Sequence, residues 1–131
     1  MEATTSDADA RWVAGIAEFD AGNYFEAHEV WEALWIEAEG AERTLLQGLV
    51  QVAAGYAKLD VGEVNGARKL FERGLASLDR AGSAASSRSF AAGRGIDLAA
   101  LRLAVEEGLR RLRALPFGVR VGLEAVPTPK L

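Results

Sequence analysis

His28 and Glu32 stand one helical turn apart, and they are the pair in this sequence best spaced for chemistry. A carboxylate at i+4 can orient an imidazole and raise its pKa, preparing it for acid–base work or for hydrogen bonding to a ligand. Both belong to the run His28-Glu29-Val30-Trp31-Glu32-Ala33-Leu34-Trp35. At about 100° per residue, Tyr24, Ala27, Trp31, Leu34, Trp35 and Ala38 form the inward arc of a helix. His28 falls inside that arc, Glu32 at its edge and Glu29 on the opposite side.

Three readings of this pair stay open. The first is a buried polar network, with His28 and Glu32 bonded to Arg43, Gln47 or Gln51 of the next helix. Leaving such groups inside without partners would cost on the order of several kcal/mol. The second is a metal site, since His-Glu-x-x-Glu superficially resembles the His-Glu-x-x-His helix of zinc proteases. The second histidine is missing, however, and no other His or Cys could complete a tetrahedral set, so no metal and no cofactor is expected. The third is a ligand pocket, with His28 as acid–base group, Trp31 and Trp35 as apolar walls and Arg43 as an anion anchor.

Composition narrows the field further. The chain has 131 residues, half of them apolar and 26% charged, which fits one globular domain, residues 1–131. Without cysteine it has no disulfide, thiolate zinc site or thiol nucleophile. No Gly-rich phosphate loop and no Gly-x-Ser-x-Gly elbow is present. The net charge of −4 is unevenly spread. Residues 1–42 carry eleven acidic side chains and one arginine, whereas 43–131 carry fourteen basic and eight acidic ones. The overall acidity argues against nucleic acid as a partner. The basic cluster Arg102, Arg110, Arg111 and Arg113 shares its helix with Glu106 and Glu107 and reads as an internally paired face. No apolar run is long enough for a membrane span, and the start Met-Glu-Ala-Thr-Thr-Ser-Asp is unlike a signal peptide. A cytoplasmic protein with no membrane partner is expected.

Helical periodicity dominates the elements that must position these residues. A first helix is expected from Asp7 or Asp9 to Ala21, and a second from Asn23, with an Asn-x-x-Glu capping pattern to Glu26, to about Ala38. A third spans roughly 41–61 and a fourth 64–80. The third is apolar around most of its surface, with Arg43, Gln47, Gln51 and Lys58 as a narrow polar strip, so it should be central. Its Gly48 and Gly55 would admit a close neighbour. Residues 82–95 are rich in Ser, Ala and Gly and read as a flexible loop. A closing helix should occupy 97–115, capped by Asp97, and an extended tail 117–131.

The chain also repeats at a spacing of 40. Residues 13–35 align with 53–75 through Ala14/Ala54, Gly15/Gly55, Ala17/Ala57, Asp20/Asp60, Gly22/Gly62, Ala27/Ala67 and Glu32/Glu72, with Trp31/Phe71 alike in kind. Glu72 recurs without a nearby histidine and has Arg68 as its expected partner. The pattern suggests a duplicated helical hairpin of tetratricopeptide type, closed by a fifth helix into a compact all-α bundle.

Three motifs in order, Gly22–Trp35, Leu46-Gln-Gly-Leu-Val-Gln-Val-Ala-Ala54 and Gly66-Ala-Arg-Lys-Leu70, resemble the family called domain of unknown function 309. The resemblance covers a family-like core of about residues 12–80. It implies an all-α bundle and carries His28, Glu29, Glu32, Arg43, Gln47 and Gln51 over as the motif's polar residues. Val50 stands where Ile is usual and Gly74 where alanine is common. The family brings no activity with it. The expectation is therefore a non-catalytic binding or interaction module with a structural His/Glu/Arg/Gln cluster. Its acidic first hairpin would meet a protein partner or a second copy, making a homo-oligomer. The alternative is an enzyme or small-ligand-binding protein with its pocket at His28, Glu32, Arg43, Trp31 and Trp35.

Overall fold

The computed structural model describes residues 3–131, with side chains from Asp7 onward; Met1 and Glu2 of the acidic start lie outside the described residues. Six helices follow one another: α1 (Ala3–Asp20), α2 (Tyr24–Glu37), α3 (Gly40–Asp60), α4 (Val64–Ser83), α5 (Ala85–Gly93) and α6 (Leu98–Arg113). A single 3-10 turn, Leu123–Ala125, interrupts the tail, and no strand occurs among the described residues. The all-α fold expected from periodicity is the fold observed.

Helix α3 is central because its apolar surface is nearly continuous. Leu45, Leu46, Leu49, Val52, Ala53, Tyr56 and Leu59 are all buried, and α3 packs against α2, α4 and α5. Glycine sets the closeness of α3 to α4. A Cβ at Gly48 would lie 2.6 Å from Leu78 Cδ2, and one at Gly74 would lie 2.7 Å from Val52 Cγ2. Aromatic residues fill the space between the first three helices. Phe19 meets Tyr24 and Tyr56 edge-on, and Tyr24 stacks on Tyr56 with centroids 4.9 Å apart. Full burial of one such ring stabilises the fold by roughly 2–3 kcal/mol.

The α1–α2 and α3–α4 turns close through the same pair of backbone bonds. Gly22 and Gly62 sit at φ +84° and +79°, where a side chain is strained. Asn23 N–H donates to Glu18 O at 2.8 Å and Gly22 N–H to Phe19 O at 3.0 Å; Glu63 N–H donates to Lys58 O at 2.9 Å and Gly62 N–H to Leu59 O at 2.9 Å. Both are Schellman closures, which satisfy the last carbonyls of a helix through a left-handed residue. The side chains across each turn are also tied, Asn23 Nδ2 donating to Glu18 Oε1 and Lys58 pairing with Glu63.

Four expectations are corrected. Helix α1 already runs at Ala3, so Asp7 and Asp9 lie within it and do not cap it. Asn23 makes no side-chain cap bond to α2, because its amide is turned back to Glu18. Glu72 is met by Arg113 of α6 at 2.6 Å, while Arg68 reaches Asn65. The expected loop 82–95 is mostly helix: α4 continues to Ser83 and α5 fills 85–93, so the helices number six instead of five. Small side chains let α5 lie close to the bundle, with Ser87 and Ala91 buried and Ser87 Oγ donating to Ala41 O. Phe90 meets Trp12 of α1 at 5.5 Å, so α5 closes the bundle against the first helix.

Asp97 caps α6 by accepting from Ala100 N–H at 3.0 Å. The arginines of that helix are paired: Arg102 with Asp79, Arg110 and Arg111 with Glu107, and Arg113 with Glu72. Beyond α6 the tail crosses the bundle. Val126 is buried close to Gly108, Tyr56 Oη donates to Pro127 O, and Leu131 N–H donates to Asp20.

Candidate functional site

The eight residues singled out from the sequence do not converge on one site. Helix α2 carries five of them, and its amphipathic pattern separates them. Trp31 is wholly inside, against Gly15 of α1. Glu29 points outward and is exposed. His28 keeps 23% of its side chain exposed, and its Nε2 is 3.9 Å from Glu32 Oε2. That distance is too long for a hydrogen bond, and Glu32 is 51% exposed. A solvated carboxylate at that range does not fix an imidazole tautomer. The His28 Nδ1 atom is buried with no partner among the described residues.

Arg43 has a different task. Its Nη1 donates to Trp35 O at 2.9 Å and Ala38 O at 3.4 Å, and its guanidinium lies 4.0 Å from the Trp35 ring centroid. It closes the C-terminus of α2, where unpaired carbonyls and the helix dipole favour a cation. Gln47 and Gln51 border a small cleft of about 150 Å³ with Glu32 and Trp35. Gln51 Oε1 also accepts from Ser77 Oγ at 2.7 Å, and that oxygen accepts from Arg80 at 3.0 Å. Ser77 and Arg80 were not singled out beforehand. The signal was available: Ser77 is a polar residue on the buried stripe of α4 between Gly74 and Leu78. No group of three or more His, Asp or Glu side chains gathers as a metal site among the described residues.

His28 instead borders a cleft of about 510 Å³ between the start of α2 and the end of α3, with Phe25, Glu26, Lys58, Asp60 and Val61 around it. A second cleft, about 400 Å³, lies between the start of α4 and the end of α6. Residues Gly22–Glu26 and His28 wall the first; Gly62–Gly66 and Arg68 wall the second, each displaced by 40 positions. His28 and Arg68 therefore hold corresponding places, and Arg68 Nε is likewise buried without a partner among the described residues. The clefts differ in their far walls. The segment Leu115–Arg120 follows α6 along the second, and Arg120 Nη2 donates to Val61 O at 3.0 Å.

The family described as Domain of unknown function (DUF309) matches residues 12–70. Residues 12–70 belong to this family. The DUF309 segment runs from α1 into the first turns of α4 and contains every one of the eight residues above, along with the whole first cleft. Among curated proteins and solved structures, nothing matches the chain. No helix among the described residues is long and apolar enough to cross a membrane.

Proposed function

We propose that this protein is a non-catalytic interaction module that engages a basic surface of a partner protein through the outward face of α2. The observation that carries this reading is the composition of that face. Phe25, Glu29, Glu32 and Ile36 fall in one row along the helix, with Phe25 56% and Ile36 66% exposed. Glu26 and Glu37 flank the row and are exposed as well. An acidic row ending in two bulky apolar residues suits a partner of opposite charge with apolar contacts of its own. The dispersal of His28, Arg43 and Gln51 over separate contacts supports a module over an enzyme, because acid–base catalysis needs its groups within hydrogen-bond reach.

The matching turns, and the paired contacts of Gly15 with Trp31 and Gly55 with Phe71, support a duplicated, tetratricopeptide-like hairpin as the frame of this module. A partner protein is a better occupant of the α2 face than a second copy. Acidic α2 against the basic half of another copy would be a head-to-tail contact, which builds rings or open filaments. The same reading assigns the protein to the cytoplasm, which fractionation of cells expressing a tagged chain tests.

The decisive experiment is affinity capture with the wild-type chain and a Glu26→Lys/Glu29→Lys/Glu37→Lys variant, repeated over a salt series. A protein retained by wild type at low salt and released both by salt and by the variant is expected. A monomer by light scattering that captures nothing at any salt overturns the reading.

A further inference from the structure

We propose that the second cleft, between the start of α4 and the end of α6, binds a free small molecule carrying a phosphate monoester on an apolar or aromatic body. None of its lining residues lies on α2, so the site goes beyond the interaction-module reading and does not depend on it.

The cleft stays open, at about 400 Å³, with the Leu115–Arg120 segment in place as its far wall. A space of that size is in the small-molecule range and exceeds what a bare inorganic anion fills. Two guanidiniums border it, Arg68 and Arg120, and neither has a carboxylate partner among the described residues. Glu72, one turn beyond Arg68, is taken by Arg113 at 2.6 Å, and Glu63, the carboxylate in the lining, by Lys58 at 3.1 Å. Arg68 is half-buried. Its Nε lies inside with no acceptor among the described residues, and its Nη1 reaches the neutral Asn65 Oδ1 at 3.3 Å. A cation drawn out of water without a counter-charge is uncommon in a folded chain, and a bound anion would complete it. Arg120 spends one of its five donors on Val61 O at 3.0 Å, which holds the guanidinium at the α3–α4 turn.

The corresponding places of the first cleft carry different groups. Forty positions earlier, His28 stands for Arg68 and Glu26 for Gly66. The first turn of α2 thus has an acidic side chain, whereas that of α4 has none. Sterics do not require glycine at 66: its φ is ordinary, and a Cβ there would come no closer than 3.4 Å to Lys58. Its effect is to leave the positive end of α4 open, and Glu63 makes no side-chain cap bond to that end. Two unpaired guanidiniums suit a dianionic phosphate, which takes forked bonds from arginine, better than a singly charged carboxylate. The rest of the wall is apolar, from Val64, Leu112, Leu115 and Phe117. Phe117 is wholly exposed, and an aromatic or apolar body on the phosphate would cover it.

The probe is phenyl phosphate, titrated into the 15N-labelled full chain at low salt. Amide shifts confined to residues 62–68 and 112–120 are expected. Inorganic phosphate should move the same amides with about tenfold weaker affinity, and phenol should not bind. Arg120→Gln and Gly66→Glu should each weaken binding about tenfold. Phe117→Ser should bring phenyl phosphate down to the level of inorganic phosphate. Arg73→Gln, an exposed position of α4 outside the cleft, should change nothing. Phe117, Arg120 and Arg73 are exposed and Gly66 has room for a side chain, so these variants keep the fold, which their unchanged spectra away from the cleft will verify. Absence of shifts at the highest soluble concentration overturns the proposal, as do shifts centred on Arg110 and Arg111 or an equal loss in Arg73→Gln. Phenol or inorganic phosphate binding as tightly as phenyl phosphate overturns it too. So does a blocked phosphotyrosine peptide that binds more tightly than phenyl phosphate, because the ligand would then be part of a protein.

Discussion

The Trp31 indole fills the space that a side chain at Gly15 would need, and Phe71 does the same at Gly55. Each aromatic residue lies sixteen positions after its glycine, one on either side of a left-handed turn glycine. A Cβ at Gly55 would sit 2.7 Å from Phe71 Cδ1, and the clash at Gly15 is closer still. Both rings are fully buried, so neither can swing into solvent. Gly15→Ala and Gly55→Ala should each destabilise the fold by about 1–3 kcal/mol through overpacking. Gly93, with nothing within 4 Å and an ordinary φ, is the control; Gly93→Ala should change stability by no more than about 0.5 kcal/mol. Urea unfolding of the three variants tests this, and equal effects at all three sites would contradict the packing argument.

Gly15 and Gly55 were legible in the sequence as a repeat, because a spacing of 40 needs only residue identity. Helix α3 was legible for a similar reason: an apolar surface on nearly every side admits only a central position. Residues 82–95 misled because their small, polar composition is shared by loops and by helices that pack closely. What decides between them is tertiary: Ser87 against Ala41 O and Phe90 against Trp12. The polar cluster misled for a different reason. Spacing placed His28 and Glu32 on one face correctly, but it could not say that Arg43 is consumed by the carbonyls ending its own neighbour, α2. Nor could it pair Gln51 with Ser77, 26 residues away on another helix.

Arg43 supplies the second prediction. It joins the end of α2 to the start of α3 through two carbonyls and the face of Trp35. A charged donor to part-buried carbonyls contributes roughly 1.5–3 kcal/mol. Arg43→Ala should therefore cost about 2 kcal/mol in chemical unfolding. Arg43→Lys should recover less than half of that, because an ammonium lacks the planar fork that bonds a carbonyl while stacking on an indole. Full recovery by lysine would show that charge alone matters at this helix end.

Acid should weaken an ion-pair cluster on α6. Hydrogen bonds from Arg110 and Arg111 hold the Glu107 carboxyl at a pKa of about 2, below its ordinary 4.5. Because the folded-state value is the lower one, the stabilisation is complete above the ordinary value and disappears as pH falls toward 2. Glu107→Gln should therefore lower stability at neutral pH, with the gap to wild type closing between about pH 4.5 and 2. Both arginines are exposed and Glu107 is only partly buried, so the gap will be small and will shrink in high salt. Urea unfolding at a series of pH values, with and without added salt, reads both effects. A gap that persists at pH 2 would assign the loss to something other than this ion pair.

Alkali should act on the tyrosines beneath the tail. Burial pushes the Tyr56 phenol far above its ordinary value of 10.0, with the neighbouring Tyr24 adding to the shift. Tyr24 is raised too, by burial and by the charges of Asp60 and Asp20, against an opposing hydrogen bond with Thr128. These are the chain's two tyrosines, so the folded protein should show no phenolate transition at the ordinary value. A raised folded-state pKa means that the stabilisation is intact below pH 10 and is lost as pH climbs beyond it. Ultraviolet titration should thus show both tyrosines ionising late, together with loss of helical circular dichroism. The Tyr56 hydroxyl also donates to Pro127 O at 3.1 Å and helps hold the tail down. Tyr56→Phe should cost about 1 kcal/mol and speed amide exchange in residues 122–131 while leaving α3 and α4 protected. Uniformly faster exchange through the core would show instead that the phenol supports the bundle and not the tail.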